Sequence, residues 1–244
     1  ETVYIPACVT HSNVDDLVYN DFFIGEGADV TIVAGCGVHS DGSETARHNG
    51  IHRFFLEKGA KVLYKEKHIG TGKCTGLRRI DPVTDAYLKE NSYLEMDTVQ
   101  LRGVDRTTRS TSAVLDKGAK IVVRERIMTD GDEDAVTKFK VELNGEDCGA
   151  DVVSRSVARG NSHQAFSSVI EGNARCPGHS ACDAILADNG RVDAQPALNA
   201  ANVDAALIHE AAIGKIAGDQ IMKLCSLGLT REEAEEKIIE GFLK

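Results

Sequence analysis

A short phrase returns along this chain at nearly even intervals: Gly27-Ala-Asp-Val30-Thr-Ile32, Gly59-Ala-Lys-Val62-Leu-Tyr64, Gly118-Ala-Lys-Ile121-Val-Val123 and Gly149-Ala-Asp-Val152-Val-Ser154. A weaker copy reads Asn91-Ser-Tyr-Leu94-Glu-Met96, so that starts at 27, 59, 91, 118 and 149 lie 32, 32, 27 and 31 residues apart. Later copies at Gly172 and Gly190 fall closer together. Periods of this size mark repeat architectures. Each copy joins a Gly-containing turn to a short run of β-branched residues in rough alternation, the pattern of a strand with one face buried. One unit cannot cover that face, but units stacked coil on coil share a continuous core, which predicts a mainly β parallel β-helix, or solenoid. The 23 glycines and the absence of Trp suit many tight turns.

Helical periodicity begins only near residue 211, dividing the chain into a β-helix core over 1–210 and a C-terminal helical segment over 211–244. There Thr230 and Glu233 have the spacing of a capping box, and Ala234, Ile238, Ile239 and Phe242 fall on one stripe. Ile221, Leu224 and Cys225 form a similar stripe before Gly228, a helix stop. A helix of about 14 residues is marginal alone in water, so this hairpin must pack on the solenoid, on a partner, or on both. Ile221, Leu224, Ile238 and Phe242 are the candidate partner-binding residues.

A chain of 244 residues with 42% apolar content buries roughly 70 to 75% of its unfolded surface, enough for a self-supporting core. Its net charge is −10, from 28 basic and 38 acidic residues, and no run of Lys or Arg exceeds two. That balance argues against nucleic acid and against an anionic membrane surface as partners. No apolar stretch approaches the roughly 20 residues that cross a bilayer, and the N-terminus lacks the regions of a signal peptide, so a soluble, cytoplasmic protein is expected. The seven cysteines, at 8, 36, 74, 148, 176, 182 and 225, contain no Cys-x-x-Cys pair. Reduced thiols fit this better than a disulfide framework or a closed zinc site.

Two motifs fail on inspection. Gly70-Thr-Gly72-Lys73-Cys74 resembles a P-loop, but Lys67 stands where Gly is required and Cys74 where Ser or Thr is required, so no ATP site is expected. Asp130-Gly-Asp132-Glu-Asp134 resembles a calcium loop, but Ala135 and Val141 replace the required Gly and Glu. It reads as a solvated acidic turn. His48 and His52 are spaced for one helical face, but Gly50 and the strand-like Phe54-Phe55-Leu56 argue against a helix there. No Ser-His-Asp set has a nucleophile-elbow context.

From about Gly160 onward the chain carries an ordered combination: Ala181-Cys182-Asp183-Ala184, Pro196, His209-Glu210-Ala211, Asp219-Gln220, and a tail running from Gly228-Leu-Thr230 through Glu233-Ala234 to Gly241-Phe242. This combination resembles the SufB/SufD family of iron-sulfur cluster assembly scaffolds. Upstream the likeness rests on the repeats and on Gly35-Cys36. The resemblance implies a right-handed parallel β-helix followed by a few helices. It implies a scaffold for a transient iron-sulfur cluster that is not itself a turnover enzyme. As partners it implies a separate ABC-type (SufC-like) ATPase docked by the helical tail and a cysteine desulfurase as sulfur source, with reduced flavin as a further cofactor of some family complexes. A homodimer or a SufB–SufD-type heterodimer is expected, its pairing bringing the Cys of one subunit near the His of the other. Family chains commonly have a segment ahead of this core, and this chain opens at Glu1, so an N-terminally trimmed fragment is an expectation too.

Cys182 is the first candidate metal ligand, although a Cys in a β-rich core is more often an inert small hydrophobe. A thiol with its ordinary pKa of about 8.5 needs a cation or metal nearby to ionise at neutral pH, and His179, three residues earlier, is a candidate contributor. His209-Glu210 is the second candidate, pairing two ligand types for iron, yet neighbours on a strand face opposite ways and share a pocket only at a bulge or strand end. Three positions depart from the family pattern: His179, where it often has an aromatic residue, and Ile208 and Asn199, where it often has acidic residues. Cys36 resembles the family Cys taken to accept sulfur and pass it towards the later Cys. Cys74, Cys148, Cys176 and Cys225 read as structural. Two alternatives remain: a structural SufD-like subunit without cluster ligands, and a polysaccharide-active β-helix enzyme, because fold alone does not decide function.

Overall fold

A computed structural model describes residues 1–244 as a β-solenoid of seven coils and a closing strand, followed by two helices. The first coils comprise β1 (Thr2–Val9) and β2 (Asp15–Ile24), then β3 (Asp29–His39) and β4 (Ala46–Leu56). The third holds β5 (Lys61–Thr71), β6 (Arg78–Ile80) and β7 (Val83–Leu88), and the fourth β8 (Tyr93–Gln100) and β9 (Arg106–Leu115). Then follow β10 (Lys120–Thr129) with β11 (Asp134–Leu143), β12 (Gly149–Ala158) with β13 (His163–Gly172), β14 (Pro177–Leu186) with β15 (Arg191–Ala200), and finally β16 (Ala206–Lys215). The strands form two parallel sheets. One runs β1-β3-β5-β8-β10-β12-β14-β16, and the other stacks the remaining strands from β2 to β15.

Alternation decides what lies between the sheets. Along β5 the buried residues are Val62, Tyr64, Glu66, His68 and Gly70, while Leu63, Lys65, Lys67 and Ile69 face outward. Each inward residue sits over its counterpart in the next coil, as in the row Val30, Val62, Leu94, Ile121, Ala150. These rows fuse into one core cluster of 27 buried residues. On the outer face of the second sheet, Phe23, Phe55 and Tyr87 stack at 4.9 and 5.2 Å between ring centroids.

The corners repeat as well. Gly27, Gly59 and Gly118 take φ of +66, +66 and +65°, and Asn91 reaches 58° at the equivalent corner. The fourth phrase is out of step: Lys120 pairs with Gly149, so the counterpart of Gly118 is Asp147, at φ 60°. Gly149 lies inside β12, and Gly172 and Gly190 are not corners of the series either. A shift of two residues preserves which face every side chain takes, and alternation is blind to it. Gly70 and Gly103 serve a different need, since a Cβ on either would run into the other's carbonyl, where two coils meet backbone to backbone.

The expected boundary after residue 210 falls within β16, which continues to Lys215; helix α1 (Gly218–Cys225) and helix α2 (Arg231–Phe242) follow. The capping box is present, Thr230 Oγ1 accepting from the Glu233 amide and Glu233 Oε2 from the Thr230 amide. Gly228, at φ +99°, turns the chain between the helices. Ile239 and Leu243 pack on Val157, with Met128, Leu101 and Phe242 around them, which holds α2 against the outside of the first sheet. No helix is long and apolar enough to cross a membrane.

Candidate functional site

Cys182 lies on β14, pointing inward and 1% exposed, with Ser154 of β12 on one side and Ala211 of β16 on the other. Burial pushes its thiol up to about 12, Glu125 and Asp183 adding to the effect. No cation offsets this. His179 faces outward, where its Nδ1 lies 2.7 Å from Asp151 Oδ1. His209, on β16, shares the inner face: it pairs with Ser180, one inward position from Cys182. Strand spacing and rise put the Cys182 and His209 Cα atoms about 8 Å apart within one chain. His209 Nδ1 is buried without a hydrogen-bond partner. Glu210 takes the opposite face, 3.8 Å from His179 Nε2. The four candidate ligands thus divide into an inner pair, Cys182 and His209, and an outer pair, His179 and Glu210, as strand alternation requires.

The inner pair sits at the open end of the solenoid. β15 and β16 close the two sheets, and each has one edge unpaired. Residues whose counterparts one coil earlier are buried become exposed here, Pro196 opposite Ser168 and Leu198 opposite Ile170. The helices do not cover this end. Of the tail residues, Ile221 is buried by the chain itself, while Leu224, Ile238 and Phe242 are half-buried. Met222 and Leu227 are the large apolar residues that remain exposed.

Cys36 lies inward on β3, level with His68 of β5. Burial pushes its thiol up to about 12 as well, with Glu66 adding and Arg109 opposing. Between Cys36 and Cys182 the interior is polar. Glu66, Thr98, Glu125, Ser154 and Cys182 form one inward row, each opposite the next in register. Arg109 reaches across from β9, its Nε 3.0 Å from Glu125 Oε1, its Nη1 3.1 Å from His68 Nδ1 and its Nη2 3.9 Å from Glu66 Oε2. Tyr64 donates to Glu66 at 2.8 Å and Ser154 to Glu125 at 2.8 Å. A void of about 10 Å³ among Glu66, Thr98, Arg109 and Glu125 has the size of one water. Burial raises the Glu66 carboxyl, but His68, Arg109 and His52 outweigh it and hold the group well below the usual carboxylate range.

Glu66, His68, Arg109 and Glu125 were not among the residues singled out from the sequence. The signal for three of them was present: the phase set by Val62 and Tyr64 carries on to 66 and 68, and that of Ile121 and Val123 to 125. Polar side chains at inward positions of a solenoid are buried whatever their chemistry, and buried charges need partners.

The family description "SUF system FeS cluster assembly, SufBD core domain" matches residues 18–242. An "Iron-sulfur cluster assembly SufBD family protein" of Archaeoglobus fulgidus is 28% identical over 242 residues, covering 98% of this chain and 64% of the relative. One from Methanothermobacter thermautotrophicus strain Delta H is 28% identical over 254 residues, covering 100% and 59%. A third, from Methanocaldococcus jannaschii, is 25% identical over 237 residues, covering 96% and 74%. The chain therefore spans about three fifths of the length of the first two relatives. With a parallel solenoid, a capped helical tail and a match over nearly its whole length, the chain belongs to the SufBD family.

Proposed function

We propose that this chain is a scaffold subunit for iron-sulfur cluster assembly, holding a nascent cluster as cargo at Cys182 and His209. The observation that carries the reading is the placement of an inward thiol and an imidazole with an unpartnered Nδ1 on adjacent strands at the open end of the solenoid. Thiolate is the favoured ligand of such clusters. Because burial holds the Cys182 thiol protonated, the thiolate forms when iron takes the place of its proton, so metal and proton exchange at one sulfur. Glu210 and His179, on the outer face, act on iron arriving from outside rather than beside Cys182.

Cys36 is the sulfur acceptor in this reading, fed by a cysteine desulfurase. The polar row from Glu66 to Ser154 supports movement of sulfur towards Cys182. The helical tail docks an ABC-type ATPase as a separate chain, with Met222 and Leu227 as its exposed apolar contacts and the half-buried Leu224, Ile238 and Phe242 as further apolar surface. A second subunit, identical or paralogous, continues the sheets at β15 and β16, whose free edges would otherwise stay unpaired.

Anaerobic reconstitution with ferrous iron and sulfide tests the cluster assignment. Wild type and Cys182→Ser are compared by iron and sulfide content and visible absorption, with Cys225→Ser as control. The expected result is a chromophore that Cys182→Ser loses and Cys225→Ser keeps. Full iron and sulfide in Cys182→Ser would overturn the ligand assignment. A wild type that takes up neither iron nor sulfide would favour the second reading, a structural SufD-like subunit without cluster ligands, which the deep burial of Cys182 supports.

A further inference from the structure

We propose that Cys36, His52, Glu66 and His68 form a separate transition-metal site inside the N-terminal half of the solenoid, one that takes a single dication such as zinc or ferrous iron. This goes beyond the scaffold reading and uses none of its cluster ligands. The ligand atoms of Cys36, Glu66 and His68 all lie within 4.8 Å of one another, and His52 Nε2 is 3.7 Å from Glu66 Oε1. Metal–ligand distances of about 2.0 to 2.3 Å set tetrahedral ligands roughly 3.5 Å apart, so modest side-chain rotations close the set. All four residues are buried, at 4, 3, 4 and 2% exposure in the order Cys36, His52, Glu66, His68.

Three further observations point to a ligand. The Nε2 atoms of His52 and His68 are both buried and make no well-aligned hydrogen bond, lying 3.7 and 3.2 Å from the single oxygen Glu66 Oε1. Buried imidazole nitrogens in native structures are seldom left so. The fixed charges are also out of balance. With both imidazoles neutral, the form that binds a metal, Glu66 and Glu125 against Arg109 leave one negative charge in the interior, and a dication held by the Cys36 thiolate brings one positive charge to meet it. Finally, a cavity of about 150 Å³ reaches Cys36 and His52 from the N-terminal coil, past Ala7, Asn20 and His48.

Soft sulfur, two imidazoles and one carboxylate suit zinc or ferrous iron and disfavour magnesium or calcium. The second shell has the required partners. His52 Nδ1 lies 3.3 Å from the Asn20 side-chain amide, whose oxygen and nitrogen can exchange places to accept an Nδ1 proton and leave Nε2 free. His68 Nδ1 now accepts from Arg109 Nη1. Loading therefore moves the His68 proton from Nε2 to Nδ1 and turns that arm of Arg109 away, while its Nε keeps Glu125. The Cys36 proton leaves to solvent. A metal and a persulfide on Cys36 exclude one another, so occupancy here would withhold this thiol from sulfur.

Cobalt(II) added anaerobically to the metal-free full chain is the probe. One equivalent should give a thiolate-to-cobalt charge-transfer band and the strong visible absorption of a four-coordinate centre. Cys36→Ser should abolish the charge-transfer band, and His52→Gln, which keeps the sulfur, should weaken binding by about tenfold or more. The band should persist in Cys182→Ser, which separates this site from the cluster site. Circular dichroism verifies the fold of each variant. A pale, six-coordinate spectrum without a charge-transfer band in wild type overturns the proposal. So does a band that survives in Cys36→Ser or vanishes in Cys182→Ser.

Discussion

His163 on β13 has both ring nitrogens on carboxylates, Nδ1 3.0 Å from Asp134 on β11 and Nε2 2.9 Å from Asp193 on β15. A ring that donates through both nitrogens is an imidazolium. Hydrogen bonds to Asp193 and Asp134 raise its pKa above the ordinary 6.5. The unfolded chain lacks this bridge, so its stabilisation is fully present below about pH 6.5 and is lost as pH rises through the raised folded value. Urea midpoints of wild type should therefore fall more steeply between about pH 6 and 8 than those of His163→Gln. Parallel pH profiles for the two proteins would show that the bridge contributes nothing. Single residues also mark the limit of the sequence reading. That His209 and Glu210 part company was legible from alternation. The partnership of Arg109 with Glu66 and Glu125 was not, because it crosses between sheets to residues 43 and 16 positions away, which no local pattern records.

At the scale of elements, the tail offers a clean separation of local from global stability. The Thr230 capping box closes two amide donors at the start of α2. Replacing Thr230 with Ala should cost about 1 kcal/mol. That loss belongs to α2 and not to the coils, which contact only their neighbours. Hydrogen exchange should speed up in α2 of Thr230→Ala while amides of β10 and β12 keep their protection; uniform loss across both would mean that tail and solenoid unfold as one unit. The helices themselves were plain from their stripes and caps. The sequence did not reveal that β16 runs on to Lys215, because Ala211, Ala212, Ile213 and Gly214 carry no strong preference and β16 is held by pairing with β14. The slip at Gly149 has a related cause, since coil length varies and parallel pairing, not the phrase, sets the register. Gly70, attractive as part of a nucleotide-binding loop, is required instead by the approach of the neighbouring coil at Gly103.

For the whole molecule, the open end at β15 and β16 determines how a site can be shared. Resemblance to known scaffolds suggested that Cys182 of one subunit meets His209 of the other, yet the two are diagonal neighbours within one chain. In the scaffold reading proposed above, that placement lets one subunit supply both residues of a site. Cys182→Ser and His209→Ala subunits, each inactive in reconstitution, should then stay inactive after exchange. A site built across a symmetric interface would instead recover roughly a quarter of the cluster content, since about half of randomly mixed dimers would hold one intact site. The solenoid was legible because its repeat is written into every coil; its charged interior was not, being spread over three strands distant in sequence. That interior has an optical consequence. The chain has five tyrosines and no tryptophan. Tyr64 alone among them is fully buried, its ring edge-on to Phe54 and its hydroxyl on Glu66, while Tyr4, Tyr19 and Tyr87 face solvent. The near-ultraviolet dichroism of this protein is thus weighted towards one phenol in the middle of the solenoid, a built-in gauge of whatever enters the chamber beside it.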